Sequence, residues 1–234
     1  MRRAARISAF AGRALAATVV AFALLGLTAA LAGSLPPVAT APFDFYVMTL
    51  SWSPGFCDLG GDDPRIKSGG AEQCATGASN GFVVHGLWPD NRYAPNPEDC
   101  NPGQDASRAD LAAARGLYPT EGLARYEYRK HGTCTGLSAK DYFAAVRYVR
   151  DELKIPPMLE APREWRRLSP QAVEQAFIAA NANLGPDNMA VTCTRGELID
   201  VRFCLTKDLK AFAACPKVAG HTCRRASIAV APVH

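Results

Sequence analysis

The chain lacks any Cys-x-x-Cys pair, although it contains eight cysteines among its 234 residues. Structural zinc sites usually draw two ligands from such a pair, so its absence argues against zinc even though His131 and Cys134 superficially resemble a ligand pair. The sequence also lacks the clustered Asp and His ligands of a metal-dependent phosphodiesterase. We therefore expect a protein that needs neither a metal ion nor another cofactor.

The first 32 residues have no acidic residue, and they read as a secretory signal peptide. Four arginines precede an uncharged apolar run over residues 14–32, which ends in the small-residue pattern Ala30-Leu31-Ala32. The alternative is a retained membrane anchor, because the run approaches the roughly 20 residues that span a bilayer. The small residues that close the run, and Pro36-Pro37 after it, favour cleavage.

The chain beyond residue 32 lacks a charge excess. The full chain carries 26 basic and 22 acidic residues, and removal of the four leader arginines leaves equal numbers. A protein that binds nucleic acid by bulk electrostatic attraction is expected to be basic. Any nucleic-acid binding by this chain must therefore come from a local site.

The eight cysteines all follow the leader, and an even number in an exported chain indicates a disulfide framework. Counting alone leaves their pairing open. Internal repeats, low-complexity tracts and interdomain linkers are absent. We expect an exported protein, periplasmic or extracellular, in which residues 33–234 form a single domain and a monomer that does not associate with membranes.

Periodicity predicts an α+β fold with a central, largely antiparallel sheet flanked by helices and stapled by disulfides. Apolar and β-branched runs predict strands over residues 43–51, 189–194, 197–205 and 227–230, the last of them an edge strand. Arg195-Gly196 predicts a hairpin turn between two of them. Capping-box patterns predict helices that begin at Ser107 and Ser138. Ser169-Pro170 predicts another, a further helix is expected over residues 120–131, and a long loop covers residues 57–80.

Residues 82–90 read Phe-Val-Val-His-Gly-Leu-Trp-Pro-Asp, which predicts a short buried strand that ends at His85 and enters a Gly-Leu-Trp-Pro turn. A histidine at the end of a strand can project into a cleft and act as an acid or a base near neutral pH. It can equally be a hydrogen-bonded interior residue. The choice depends on whether the chain supplies a partner.

A second segment offers that partner. Glu127, Lys130 and His131 are spaced three and four residues apart, so a helix would present them on one face. Taken alone, they could be a solvated Glu–Lys pair beside a histidine that suits the C-terminal end of the helix dipole.

Together, residues 82–90 and 127–134 resemble the two signature segments of the ribonuclease T2 family, which are secreted endoribonucleases of the transferase type. The resemblance is greatest to the bacterial periplasmic ribonuclease I branch, in which the second segment also reads Tyr-Glu-Tyr. The stretch Phe45–Trp52, followed by Ser-Pro-Gly-Phe-Cys, is also typical of a strand in that family. The resemblance therefore spans most of the mature chain.

The resemblance implies a metal-independent reaction on RNA, which carries a 2′-hydroxyl beside its phosphodiester, and no cleavage of DNA. It gives His131 the role of base and His85 the role of acid, and Lys130 stabilises the charge at phosphorus. Glu127 supports the site by contacting a phosphate oxygen or by positioning its neighbours. The implied products are 2′,3′-cyclic phosphates and 5′-hydroxyls, with slower hydrolysis to 3′-phosphates and low base specificity.

The resemblance also implies substrate-binding residues. Trp88 would stack on a base, although it could simply fill core, and Asp90 would accept a hydrogen bond from adenine. Many family members place a further histidine just before the glutamate, where this chain has Tyr126. The scissile phosphate is therefore bound with one cation fewer or through the Tyr126 hydroxyl, which puts the pH optimum in doubt.

The family pattern implies a disulfide pairing: Cys57–Cys74, Cys100–Cys134, Cys193–Cys223 and Cys204–Cys215. Among these, Cys100–Cys134 would clamp the second signature helix to the loop that follows the first segment. A competing hypothesis is a secreted RNA-binding or protein-interaction module that keeps the fold with little turnover. The complete set of four catalytic-type residues argues against it, because a binding module has no need of a proton-transfer pair.

Overall fold

The computed structural model describes Ala39 and residues 41–60, 72–75, 78 and 80–233. The predicted signal peptide over residues 1–32 and most of the predicted loop over residues 57–80 lie outside the described residues. None of the helices in this described part is long and apolar enough to cross a membrane.

Within the described residues, the fold is α+β, as predicted, and is built on a six-stranded sheet. The strands are β1 (Phe45–Trp52), β2 (Phe82–Asp90), β3 (Arg166–Leu168), β4 (Met189–Thr194), β5 (Glu197–Leu205) and β6 (Ile228–Val230). Their order in the sheet is β2-β1-β5-β6-β3, and β4 also pairs with β5. All pairings are antiparallel except that of β5 with β6.

The helices begin where the capping residues predict. The side chains of Ser107, Thr120, Ser138 and Ser169 each accept a hydrogen bond from the backbone N–H three residues further on, which satisfies a free donor of the first turn. The helices are α1 (Ser53–Leu59), α2 (Arg108–Ala113), α3 (Glu121–Lys130), α4 (Ala139–Glu152), α5 (Pro157–Glu160), α6 (Pro170–Ala180) and α7 (Pro216–Ala219).

The two faces of the sheet differ in what they bury. Even-numbered residues of β1, such as Met48 and Leu50, point into the main apolar core, which the helices complete. Odd-numbered residues such as Phe45 and Val47 point into a smaller cluster that includes the buried Cys204–Cys215 disulfide. This second face is only partly covered by apolar side chains, so it has room for polar groups.

The four disulfides pair the cysteines as the family pattern implies. They join Cys57–Cys74, Cys100–Cys134, Cys193–Cys223 and Cys204–Cys215. The predicted hairpin is also confirmed, since Arg195 and Gly196 both take the positive φ angles that a tight two-residue turn requires.

Four sequence expectations are wrong in detail. No turn follows His85, because β2 continues through Gly-Leu-Trp-Pro and pairs with β1 as far as Asp90. The first strand begins at Phe45 rather than at residue 43, and the chain after it forms helix α1 rather than going directly into a loop. The strand over Ile228–Val230 is not an edge strand, because the short strand β3, which periodicity missed, pairs along its outer side. Three residues are too few to show an alternating pattern.

Candidate active site

A β-bulge in β2 aims His85 at the second face of the sheet. Thr49 of β1 lies opposite Gly86, and the next residue, Leu50, lies opposite Val84, so His85 is an extra residue without a partner in the ladder. In a regular strand, His85 and Trp88 would point to opposite faces because they are three residues apart. The bulge puts them on the same face, and their ring centroids lie 5.3 Å apart.

Helix α3 brings the second signature segment to this face. Glu127 lies in its last turn and His131 is its C-cap residue, whose backbone N–H donates to the Glu127 carbonyl oxygen at 2.9 Å. The indole Nε1 of Trp88 donates to Glu127 Oε2 at 2.7 Å. Gly86 makes this approach possible, because a Cβ there would lie 2.2 Å from the same carboxylate oxygen.

The Glu127 carboxylate lies between two imidazole rings. Its Oε1 is 3.7 Å from Nε2 of His85, and its Oε2 is 4.0 Å from Nε2 of His131. The glutamate side chain is 1% exposed. The two histidines therefore converge, through the same ring nitrogen, on one buried carboxylate.

The surroundings shift the pKa values of the two histidines in opposite directions. Burial lowers the pKa of His131 to about 4, and the positive charge of Lys130 acts in the same direction. Burial also disfavours the charged form of His85, but Asp200 and Glu127 outweigh it and raise the pKa of His85 above its ordinary value. Near neutral pH, His131 is thus neutral, whereas protonation of His85 is favoured.

Burial also acts on the carboxylate between them. It raises the pKa of Glu127 to about 7, although His85 and the hydrogen bond from Trp88 oppose the shift. The group is therefore close to half-protonated at neutral pH. A small change in its surroundings will change its charge.

Lys130 lies at the rim of the site and is held by the loop before Cys100. Its Nζ is 3.0 Å from Oε2 of Glu98, and this contact raises the pKa of Lys130. The backbone N–H of Asp99 donates to the Lys130 carbonyl oxygen at 2.7 Å. The Cys100–Cys134 disulfide closes the same junction, so the predicted clamp between the loop and the second signature helix is confirmed.

The predicted substrate-binding residues are placed differently from one another. Trp88 lies at the centre of the site, between the two histidines and under the guanidinium of Arg202, which is 5.6 Å from its ring centroid. Asp90 is buried at the end of β2, and burial raises its pKa. Tyr126 is 47% exposed on α3. The stacking, base-reading and phosphate-binding roles of these residues stay predictions.

The sequence reasoning missed three polar residues on the same face: Ser51, Asp200 and Arg202. Ser51 Oγ donates to Asp200 Oδ1 at 2.6 Å and lies 3.1 Å from Nδ1 of His85. Arg202 Nη2 is 3.6 Å from Asp200 Oδ2. The sequence does contain a signal, because Asp200 and Arg202 alternate with apolar Val201 and Phe203 in a segment predicted to be a strand.

Among the described residues, His, Cys, Asp and Glu side chains form no group of three or more that could hold a metal ion. The expectation that the protein needs no metal stays a prediction.

The chain matches the family model described as the ribonuclease T2 family over residues 43–215. It is 34% identical over 155 residues to a probable ribonuclease of Haemophilus influenzae, covering 62% of this chain and 57% of that protein. It is 38% identical over 120 residues to a ribonuclease of Aeromonas hydrophila, covering 50% of this chain and 49% of that protein. The matched segments thus span about half the length of these two relatives.

Ribonuclease I of Escherichia coli is 30% identical over 175 residues, covering 59% of this chain and 64% of that protein. Among solved structures, an RNase-related protein from Calystegia sepium superposes with a TM-score of 0.63 at 19% identity, covering 81% of this chain and 97% of the other. RNase NT in complex with 5′-AMP gives 0.60 at 20% identity, covering 82% and 99%. These structures share the fold, and the match to the family model shows that the chain belongs to the ribonuclease T2 family.

Proposed function

We propose that the chain is an exported, metal-independent endoribonuclease that cleaves RNA by attack of the 2′-hydroxyl on the adjacent phosphorus. The observation that carries this proposal is the convergence of His85 and His131 on Glu127, each through Nε2 at 3.7 and 4.0 Å. Two imidazoles facing one space can remove the hydroxyl proton and protonate the departing oxygen in the same reaction. Membership of the ribonuclease T2 family supports the same reaction.

In the proposed reaction His131 is the base and His85 is the acid. The lowered pKa of His131, about 4, leaves its imidazole able to accept a proton at neutral pH. The raised pKa of His85 keeps a proton available on its ring. The pair therefore starts each cycle in the two protonation states that the reaction requires.

Lys130 and Glu127 support the transfer in different ways. Lys130 lies at the rim with its side chain 28% exposed, so its ammonium can approach the charge that develops at phosphorus. Glu127 is buried and accepts a hydrogen bond from Trp88. Both features support a role in positioning the histidines rather than in contacting the substrate.

Cleavage in this way leaves a 2′,3′-cyclic phosphate and a 5′-hydroxyl, followed by slower hydrolysis to a 3′-phosphate. DNA lacks the attacking hydroxyl, so it is not cut. The four disulfides favour an oxidising compartment. A cleaved signal peptide over residues 1–32 would deliver residues 33–234, as one monomeric domain, to the periplasm or the medium.

The test uses the purified mature chain with RNA and with DNA, each in excess chelator, followed by analysis of the new ends. Cleavage of RNA alone to 2′,3′-cyclic phosphates is the expected result. RNA retained without cleavage would identify a binding module instead. Activity that disappears with chelator and returns with a divalent ion would overturn the metal-independent mechanism.

A further inference from the structure

The side chains of His85, Ser51 and Asp200 come from three adjacent strands and form a hydrogen-bonded series. Ser51 of β1 lies directly opposite Asp200 of β5 in the sheet register. Its Oγ is 2.6 Å from Asp200 Oδ1 and 3.1 Å from Nδ1 of His85. Ser51 and Asp200 are 8% and 7% exposed, so solvent competes little for these bonds.

The order of donors in this series follows from counting hydrogens. A serine hydroxyl carries one hydrogen, and an ionised carboxylate can only accept. The Ser51 hydrogen therefore points to Asp200, and the Ser51 oxygen accepts from Nδ1–H of His85. With Nδ1 holding its hydrogen, the ring nitrogen that gains and loses a proton is Nε2, which faces Glu127 at 3.7 Å.

Asp200 is itself held in place and kept ionised. Its Oδ2 lies 3.5 Å from Thr192 Oγ1 and 3.6 Å from Nη2 of Arg202. Burial alone would raise the pKa of Asp200, but its interactions with His85, Ser51 and Arg202 lower it. The negative end of the series is thus present throughout the neutral range.

We propose that Ser51 and Asp200 are positioning residues that hold His85 as the Nδ1–H tautomer and favour its protonated form. Nε2 then gives its proton to the departing 5′-oxygen while Nδ1 keeps its own. This inference deepens the proposed function and rests on it for the identity of the proton acceptor. The tautomer and the charge preference of His85 can be measured without RNA.

Several charged groups face His85, and together they influence how readily its ring is protonated. Arg202 from β5 disfavours a positive charge on His85, whereas Glu127 from α3 and Asp200 from β5 favour it. His131 at the end of α3 also faces this space, and its lowered pKa leaves it neutral near neutral pH. Asp200 Oδ1 lies 3.9 Å from Nδ1 of His85, so its charge also acts on the ring directly and not only through Ser51. Loss of Asp200 should therefore have a larger effect than loss of the Ser51 hydroxyl.

The rival explanation is that Ser51 and Asp200 only stabilise the sheet. Removal of either side chain would then lower stability and leave the tautomer and titration of His85 unchanged. The matched control is Ser53→Ala. Ser53 is also a buried serine of the same chain segment, and its hydroxyl accepts a hydrogen bond from Gln73 Nε2 at 2.8 Å.

The experiment is ¹⁵N NMR of the His85 ring across pH in the wild type, Ser51→Ala, Ser51→Thr, Asp200→Asn and Ser53→Ala. The wild type and Ser51→Thr should show Nδ1–H in the neutral form. In Ser51→Ala, the neutral His85 ring should also populate the Nε2–H tautomer, and the pKa of the ring should be lower. In Asp200→Asn, the pKa of His85 should fall by about one unit. Wild-type behaviour in both Ser51→Ala and Asp200→Asn would overturn the proposal.

Kinetics provide the second readout. The basic limb of kcat/KM against pH reports the acid, so it should move to lower pH in Ser51→Ala, with the acidic limb unchanged and Ser53→Ala like the wild type. Should Ser51→Ala not fold, Asp200→Asn carries the same comparison. A protein that shows the NMR shifts but does not cleave RNA would refute the proposed function. The positioning role of Ser51 and Asp200 would still be supported.

Discussion

His85 and His131 face the same carboxylate, yet the regions that hold them differ. His85 lies on a bulged strand of the sheet, its side chain is 39% exposed, and it has one carboxylate on either side of the ring. His131 ends helix α3 and its side chain is 10% exposed. Within the described residues, its Nδ1 is buried without a hydrogen-bond partner. His85 thus lies between two carboxyl groups, whereas His131 is enclosed mainly by low-dielectric protein.

The contrast shows which physical effect decides the charge of each ring. A helix C-terminus favours a positive histidine, typically by about 0.3–1 kcal/mol. The lowering of the His131 pKa to about 4 corresponds to about 3 kcal/mol in the opposite direction, so burial prevails over the helix dipole. At His85 burial also opposes the charge, and two carboxylates reverse the outcome.

Removal of one imidazole ring at a time should have the strongest effect on activity. His85→Ala and His131→Ala should each lower kcat for RNA cleavage by about 10²- to 10⁴-fold, because each removes one of the two proton transfers. His221→Ala is the control, since His221 is exposed and matches no motif. Retained activity in a correctly folded variant of either active-site histidine would refute its assigned role.

Glu127→Gln tests the influence of the carboxylate that both histidines face, because it removes the negative charge of Glu127 while nearly preserving the shape of the side chain. The amide oxygen can still accept from Trp88 Nε1, but His85 loses one of its two negative neighbours. We expect the basic limb of kcat/KM to move to lower pH and activity to fall by about 10-fold or more. Glu121→Gln in the first turn of α3 is the matched exposed control. Unchanged limbs in Glu127→Gln would contradict the electrostatic account of His85.

A weaker effect is expected when the disulfide that holds the His131 segment in place is removed. Cys100/Cys134→Ser and Cys193/Cys223→Ser remove disulfides with sequence separations of 34 and 30. Both should lower the free energy of unfolding similarly, by about 2–4 kcal/mol, because the closed loops have similar lengths. Only the first should also lower activity well below the denaturation midpoint, because it frees the segment that holds Lys130 and His131. Equal activity in the two variants would contradict this link.

Local chemistry predicted much of the fold. Ser107, Thr120, Ser138 and Ser169 marked helix starts because a short polar side chain there satisfies the first-turn donors. The hairpin at Arg195-Gly196 was predictable because two positive φ angles need a turn-forming pair. The helical spacing of Glu127 and His131 likewise predicted that they share a face.

Features that depend on the pairing of distant segments were not predictable in the same way. The bulge at His85 arises from the pairing register of β1 and β2, and no local sequence pattern predicts it. Ser51 and Asp200 are 149 residues apart in sequence and meet because β1 and β5 are neighbours in the sheet. The two signature segments therefore predicted the candidate reacting groups, whereas the groups that set their charges required the structure.

The most direct test of the central claim is an NMR titration of both histidine rings in the wild-type chain without substrate. We expect His85 to titrate above the ordinary histidine pKa and His131 to titrate at about 4. Assignment of the two signals with His85→Ala and His131→Ala completes the measurement. A His131 ring that titrates above His85 would contradict the account, because the acid and the base would then be exchanged.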